Sequence, residues 1–212
     1  MRTFFPLGLI ILFFVGCTRQ VHINEETNYR SKSPNIYKIV SNYKKVAKEV
    51  ANCFTKDSSK IELYLQLDKT DATTRVASFD SVMQPEYNGY NLIRNKQGKI
   101  IFISEYPVTD SDEYDMIYES YFDPNGNLLA FIRKCIFNNG GCAKIVNEKS
   151  DYYYDEKHKL VLKTYELTDE NKKPLKYINC IFNFRFEYKI YKTTKEYLKA
   201  RQFVLSDKVP AV

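Results

Sequence analysis

The chain has 212 residues and a formal net charge of +6, with 18 tyrosines and no tryptophan. This length suits a single domain. Basic residues are scattered among acidic ones, and the densest basic runs, such as Lys44-Lys45 and Lys172-Lys173, are only pairs. A nucleic-acid-binding surface needs a clustered basic stripe, so we expect no nucleic-acid partner.

The first residues are typical of a secretory signal. Met1-Arg2 is a positively charged start, and the apolar run from Phe4 to Val15 is too short for a membrane-spanning helix, which needs about 20 residues. The residues Phe14-Val15-Gly16-Cys17 resemble the bacterial lipobox, with phenylalanine where leucine is usual. The resemblance implies that Cys17 is lipidated, begins the mature chain and anchors it in the bacterial cell envelope. Thr18 after it implies the outer membrane, on its periplasmic side or at the surface. An ordinary signal peptide that contains a cysteine is the alternative.

The domain organisation follows from composition. Residues 1–16 form the predicted lipoprotein signal peptide, and residues 17–32 form a polar tether without periodicity. Residues 33–206 are predicted to be a single α+β domain, and residues 207–212 a tail.

An amphipathic helix is predicted from Pro34 to Phe54. Ser33 is a favoured N-cap and Pro34 suits the first helical position. A stripe of this kind can lie on a membrane, but many strands follow it, which favours a helix packed on a sheet. The stripe consists of apolar residues at steps of three and four: Ile36, Ile39, Val40, Tyr43, Val46, Ala47, Val50, Cys53 and Phe54.

The stretch from Leu175 to Tyr191 shows the longest alternation of apolar and polar residues. Alternation of this period is typical of a strand with one buried face. We therefore expect a long strand here, with the rest of the sheet built around it. The predicted helix should bury its apolar face, which carries Phe182, Phe184 and Phe186.

Two candidate strands follow the helix, at Ile61 to Leu67 and at Arg75 to Val82. Beyond them, four turn signals separate further short candidate strands. Asp123-Pro124-Asn125-Gly126 suits a type I turn closed by a left-handed glycine. Similar signals begin at Asn95 and Asp155, and a weaker one begins at Asp169. His158 stands where the first two have glycine, and histidine tolerates positive φ. His158 is therefore predicted to be a turn residue, not a catalytic base.

The motif Tyr-Phe-Asp-x-x-Gly-x-Leu occurs from Tyr121 to Leu128 and, in altered form, from Tyr153 to Leu160. It resembles the tyrosine-aspartate and MORN-like hairpin repeats of bacterial surface and envelope proteins. The resemblance implies a meandering antiparallel sheet and no activity. The predicted architecture is therefore α+β, with the N-terminal helix on seven to nine mostly antiparallel strands. A short helix from Thr193 to Leu205 follows, and a small barrel or a sandwich is the alternative.

Four cysteines remain besides Cys17, and an oxidising envelope compartment favours their pairing. Cys135 and Cys142 flank the turn at Asn138-Asn139-Gly140-Gly141, which predicts one disulfide. Cys53 on the helix stripe and Cys180 on the apolar face of the long strand predict a second. Zinc-ligand spacing is absent.

No catalytic constellation emerges from the sequence. His22 lies in the tether, the chain has no glycine-rich phosphate loop, and the acidic cluster from Asp110 to Asp115 lacks the EF-hand calcium spacing. We expect no enzyme activity, no metal and no cofactor.

The run Tyr152-Tyr153-Tyr154 places rings on both faces of a strand. Exposed tyrosines suit recognition surfaces, so these three are the predicted partner-binding residues. The alternative is that they cover a sheet face under a helix. The sequence predicts a non-catalytic binding or structural module of the envelope with a protein, peptide or glycan partner. An immunity-type lipoprotein that neutralises a toxin, and a carboxylate-dependent hydrolase, are the alternatives.

Overall fold

A computed structural model of the chain describes residues 28–32, 35–67, 71–78, 87–109, 113–182 and 188–205. The predicted signal peptide, Cys17, most of the tether, Ser33-Pro34 and the C-terminal tail lie outside the described residues.

Nine described strands form one antiparallel sheet in the order β1-β9-β8-β7-β6-β5-β4-β2-β3. From β4 to β9, each strand pairs with the next along the chain, so the predicted α+β meander is confirmed. The strands are β1 Tyr29–Arg30, β2 Ile61–Gln66, β3 Thr74–Val76, β4 Asn88–Arg94, β5 Ile100–Tyr106, β6 Tyr114–Phe122, β7 Leu128–Asn138, β8 Ile145–Tyr154 and β9 Leu160–Asp169.

Helix α1 spans Ile36–Lys56, close to the predicted Pro34 to Phe54. Helix α2 spans Thr194–Ala200 and is capped at Thr193, whose side chain accepts a hydrogen bond from the backbone N–H of Glu196. It ends before the predicted Leu205 because Gln202 adopts φ 51°, a left-handed conformation that terminates helices. No helix among the described residues combines the length and apolarity that crossing a membrane requires.

Both faces of the sheet are covered, which explains why buried residues occur consecutively along several strands. Helix α1 packs on one face, which we call the helix face, against Ile93, Phe102, Tyr121 and Val161 among others. The C-terminal segment, residues 175–182 and 188–205, packs on the other face, and we call this segment the strap. In β2, for example, Tyr64, Leu65 and Gln66 are all buried.

The predicted long strand from Leu175 to Tyr191 is wrong for the residues that the structure describes. That part of the strap contains a 3₁₀ turn at Tyr177–Asn179 and otherwise irregular backbone. Its apolar residues lie on top of the sheet: Phe182 packs on Phe137 with ring centroids 4.6 Å apart, and Tyr188 stacks on Phe131 at 5.4 Å.

The predicted contact between α1 and this segment is also wrong. Phe182 belongs to the cluster under the strap, on the face opposite α1. Phe184 and Phe186 lie outside the described residues. An alternating pattern identifies an apolar face, but it does not identify the surface that this face packs against.

The disulfide pairing differs from the prediction. Cys142 is bonded to Cys180, with the two Cα atoms 4.7 Å apart, while Cys53 and Cys135 are buried and free. Strand β7 continues three residues past Cys135, and register places Glu148 opposite it. Cys53 and Cys180 cannot meet, since α1 and the strap lie on opposite faces of the sheet.

All four turn signals close hairpins or turns of the same geometry. In each, the side-chain oxygen of the first residue accepts backbone hydrogen bonds from the third and fifth residues, as in Asp123 with Asn125 (2.8 Å) and Asn127 (2.8 Å). His158 is a turn residue, as predicted. The fourth residues have positive φ: Gly98 74°, Gly126 82°, His158 56° and Lys172 63°.

Candidate binding cleft

Helix α1 leaves one corner of the helix face uncovered. Beyond the end of α1, a cleft of about 700 Å³ opens over β2, β3, β4 and β5. Clefts of this size hold small ligands or a few side chains of a partner. The described lining residues are Phe54, Ser58, Ser59, Ile61, Leu63, Arg75, Val76, Ala77, Asn91 and Tyr106.

The floor of the cleft is polar at Asn91, which lies within the otherwise apolar run Tyr90 to Ile93 of β4. Asn91 pairs in register with Ser104 on β5, and the two are 6% and 1% exposed. The Asn91 amide donates to the Tyr106 hydroxyl at 3.1 Å. Its Oδ1 and the Ser104 Oγ have no hydrogen-bond partner in the described parts of the chain. A buried polar atom without a partner costs about 1–3 kcal/mol, and Asp151 Oδ1 and Ser150 Oγ, which lie outside the cleft, are in the same state.

The walls of the cleft are mainly apolar. The Phe54 ring contacts Phe102 edge-on at 6.0 Å and remains 44% exposed. Leu63 and Val76 lie opposite each other on β2 and β3. Arg75 also lines the cleft and forms no ion pair with another described residue. The cleft therefore combines an apolar wall, the amide residue Asn91 at its floor and the cation of Arg75.

A second cleft, of about 660 Å³, lies beside the last turn of α1 and contains carboxylates. Two of these carboxylates are already held by cations: Glu62 pairs with Arg94 at 2.8 Å, and Asp57 pairs with Lys60 at 2.9 Å. The third carboxylate that lines this cleft, Glu49, forms no ion pair with another described residue.

Two further carboxylates, Glu119 and Asp151, lie under α1 on either side of Ile132. Glu119 accepts hydrogen bonds from Tyr121 and Lys134, and Asp151 accepts them from Lys149, Tyr153 and Thr164. Among the described residues, neither lines the two clefts. These carboxylates hold polar partners in place beneath the helix.

Tyr43 anchors α1 above these carboxylates. Its ring contacts Tyr121 at 5.0 Å and Tyr153 at 5.2 Å, both edge-on. Burial, followed by the charges of Asp151 and Glu119, raises the pKa of Tyr43 to about 12. The phenol therefore stays protonated at neutral pH, and this cluster is a packing contact between helix and sheet.

On the strap face, a buried ionic cluster fixes the end of the chain. Glu105, 4% exposed, accepts hydrogen bonds from Tyr197 and from Arg201, each at 2.7 Å. Burial raises the pKa of Tyr197, and the neighbouring Glu105 adds to the effect. The cluster is closed over by α2 and serves to hold the strap on the sheet.

The predicted recognition tyrosines are largely core residues. Tyr152 and Tyr153 are buried, which favours the alternative that they cover a face of the sheet. The Tyr152 hydroxyl hydrogen-bonds that of Tyr188 at 2.9 Å under the strap, and Tyr153 packs under α1. Tyr154 is half-buried against the cluster below the strap. A sheet covered on both faces leaves neither side of this strand free.

The structure describes only part of the acidic cluster from Asp110 to Asp115. Glu113 and Asp115 belong to the described residues, whereas residues 110–112 lie outside them. No group of three His, Cys, Asp or Glu residues that could hold a metal occurs in the described ranges.

The sequence prediction missed the cleft itself. Two polar residues in the sequence could have indicated the cleft. Asn91 is a lone amide within the apolar run Tyr90 to Ile93, and Ser104 follows the apolar run Ile100 to Ile103. Register, which the sequence does not supply, brings these two residues side by side.

Comparisons of the chain with protein-family models, with curated proteins and with solved structures find no match.

Proposed function

We propose that the protein is a lipoprotein of the bacterial envelope, anchored through Cys17, whose domain binds a peptide segment of a protein partner without catalysis. The anchor rests on the lipobox-like residues Phe14-Val15-Gly16-Cys17, and Thr18 after them favours the outer membrane. The binding role rests on the cleft beside α1.

The observation that carries the binding role is an apolar cleft of about 700 Å³ with the amide of Asn91 at its floor. A peptide supplies all that this cleft lacks: a backbone or side-chain N–H for Asn91, an apolar side chain for the wall at Phe54 and Leu63, and a carbonyl or carboxylate oxygen for Arg75.

Selection of phage-displayed peptides on the purified mature chain tests the binding role. Peptides that bind wild type should bind Asn91→Leu and Phe54→Ser at least tenfold more weakly in calorimetry, a loss of about 1.4 kcal/mol. Tyr37→Ser is the matched control, since Tyr37 lies on the same helix, is 77% exposed and does not line the cleft. Equal affinity for all variants, or selection of glycans from an array in place of peptides, refutes the peptide role.

The anchor is tested separately. Cys17→Ala should leave the precursor unprocessed by the lipoprotein peptidase and should release the domain from the membrane fraction. A wild-type chain that is soluble in the periplasm and cleaved at another bond refutes the anchor.

A further inference from the structure

An exposed apolar tip lies at one end of the sheet. It consists of the two loops 139–144 and 176–182, which the Cys142–Cys180 disulfide joins. Ile178 is 88% exposed and Ile181 is 66% exposed, and the neighbouring Tyr177 is 37% exposed. Two isoleucines exposed to water are unfavourable, because full burial would stabilise each by about 1.5–3 kcal/mol.

The tip holds these side chains outward by direct bonds. The Ile181 N–H donates to the Gly140 carbonyl at 2.9 Å, and the Cys180 N–H donates to the Tyr177 carbonyl at 2.9 Å. The Ile181 side chain also lies close to Gly141, where an added Cβ would stand 3.3 Å from it. The exposure of the isoleucines is therefore part of a bonded structure and not a property of a loose end.

The two loops of the tip carry only positive charges. They contain Lys144 and Lys176 and no aspartate or glutamate, whereas Glu113 and the Asp169-Glu170 turn lie nearby at the same end of the sheet. Both lysines are exposed, and neither forms an ion pair within the described parts of the chain. An apolar knob bordered by lysines matches the boundary between acyl chains and anionic headgroups of a bilayer.

The start of the domain points toward the same end of the sheet. Strand β1 runs antiparallel to β9, with Tyr29 opposite Lys163, and the Tyr165 N–H donates to Asn28 Oδ1 at 2.7 Å. Going backward along the chain from Arg30 to Asn28 therefore advances along β9 toward Asp169, the end where the tip lies. The eleven residues from 17 to 27 reach at most about 40 Å, so a lipid on Cys17 and the tip can lie in one plane.

We propose that the tip is a membrane-contacting surface, in which Ile178 and Ile181 insert into an anionic lipid bilayer while Lys144 and Lys176 lie among the headgroups. Its orientation toward the membrane rests on the proposed anchor at Cys17, whereas its affinity for lipid does not. The contact supplements the acyl chains and fixes which end of the sheet faces the bilayer, leaving the binding cleft beside α1 to its partner.

Because the chain contains no tryptophan, a single introduced tryptophan reports on the tip without background. Ile178→Trp is compared with Lys157→Trp, which lies in the exposed β8–β9 turn at the opposite end of the sheet. The probes are phosphatidylglycerol vesicles that contain a brominated lipid. For Ile178→Trp we expect emission shifted to shorter wavelength and strong quenching, while Lys157→Trp changes in neither respect.

Two forms of the chain separate the tip from the anchor. The acylated mature protein is incorporated into the vesicles, and an unacylated mature chain carrying Cys17→Ala is mixed with them at high lipid concentration. Quenching of Ile178→Trp in the unacylated chain supports the tip even where acylation of the wild type is never found. Acylated protein that stays in the vesicles with Ile178→Trp unquenched refutes the tip and leaves the anchor intact.

Further measurements test the roles of the isoleucines and lysines and distinguish membrane binding from contact between copies of the chain. The double variant Ile178→Ser/Ile181→Ser should lose most of the vesicle-bound fraction of the unacylated chain, and phosphatidylcholine vesicles should bind the parent chain more weakly than phosphatidylglycerol vesicles. Equal binding to both lipids refutes the role of the lysines. A blue shift of Ile178→Trp that grows with protein concentration in the absence of vesicles assigns the tip to contact between copies and refutes the membrane proposal.

Discussion

At the scale of single residues, the turn that joins β6 to β7 shows how a local signal acquires a tertiary role. Gly126 adopts φ 82°, as the type I turn requires, and its carbonyl accepts a hydrogen bond from the Thr194 N–H at 2.9 Å. A Cβ added to Gly126 would stand 2.5 Å from Thr194 Oγ1. The turn thus serves as the docking point for the first residues of α2.

We expect Gly126→Ala to destabilise the protein more than Gly98→Ala does. Gly98 has a similar φ of 74° but no heavy atom within 4 Å of an added Cβ. Gly98→Ala should therefore cost only the free energy of a left-handed backbone at a non-glycine residue, about 1–2 kcal/mol. Gly126→Ala should cost this amount and, in addition, the free energy of displacing Thr194. Urea denaturation of both variants measures the difference, and equal midpoints would show that Thr194 moves aside without cost.

At the scale of elements, the strap lies across one face of the sheet instead of extending it as a strand. Strand β1 and the Asn28 side chain cover part of the outer edge of β9, and Phe203 of the strap makes one bridge to Thr73 beside β3. Short edge strands limit pairing with other chains. The apolar residues of the strap pack face-on on the sheet, and the Cys142–Cys180 disulfide ties the strap to the β7–β8 loop.

The double variant Cys142→Ser/Cys180→Ser should lose about 2–4 kcal/mol of unfolding free energy, since the bond closes a sequence separation of 38 residues. Denaturation with and without a reductant checks this: reduction should destabilise wild type and leave the double variant unchanged. In a chain that carries Cys17→Ala, alkylation should find two thiols, Cys53 and Cys135, and only after unfolding, because both are buried. Peptide mapping that joins Cys135 to Cys142 would contradict this pairing.

At the scale of the whole molecule, many tyrosines form part of two cores, one on each side of the sheet. Burial is the first cause of the raised pKa of Tyr64, to about 12, and of Tyr43, also to about 12. The ordinary pKa of tyrosine is about 10. Because the folded state holds these protons more tightly than the unfolded state does, the stability that they contribute is complete below about pH 10.

We therefore expect the free energy of unfolding to fall as the pH rises from about 10 to 12, through the raised pKa of Tyr43. Tyr43→Phe should reduce the slope of unfolding free energy against pH, because it removes an ionisable phenol that α1 buries against the sheet. Tyr37→Phe, which removes an exposed phenol from the same helix, is the control and should leave the slope as in wild type. Urea midpoints across this pH range make the measurement, and equal slopes for the two variants would contradict it.

The sequence by itself determined the elements whose signals are local. Helix α1 follows from its apolar stripe, the hairpins follow from Asn95, Asp123 and Asp155, and the turn role of His158 follows from its tolerance of positive φ. Each of these signals depends on contacts within a few residues, so no knowledge of distant partners is needed.

Only the tertiary structure decided which surfaces meet. The alternation from Leu175 to Tyr191 is compatible both with a strand and with a segment laid across a sheet, and the packing of Phe182 on Phe137 and of Tyr188 on Phe131 shows the second. The pairing of Cys142 with Cys180 and the meeting of Asn91 with Ser104 depend likewise on register and on which face each segment covers. These are relations between residues far apart in the chain, and a periodicity, which describes one segment at a time, does not contain them.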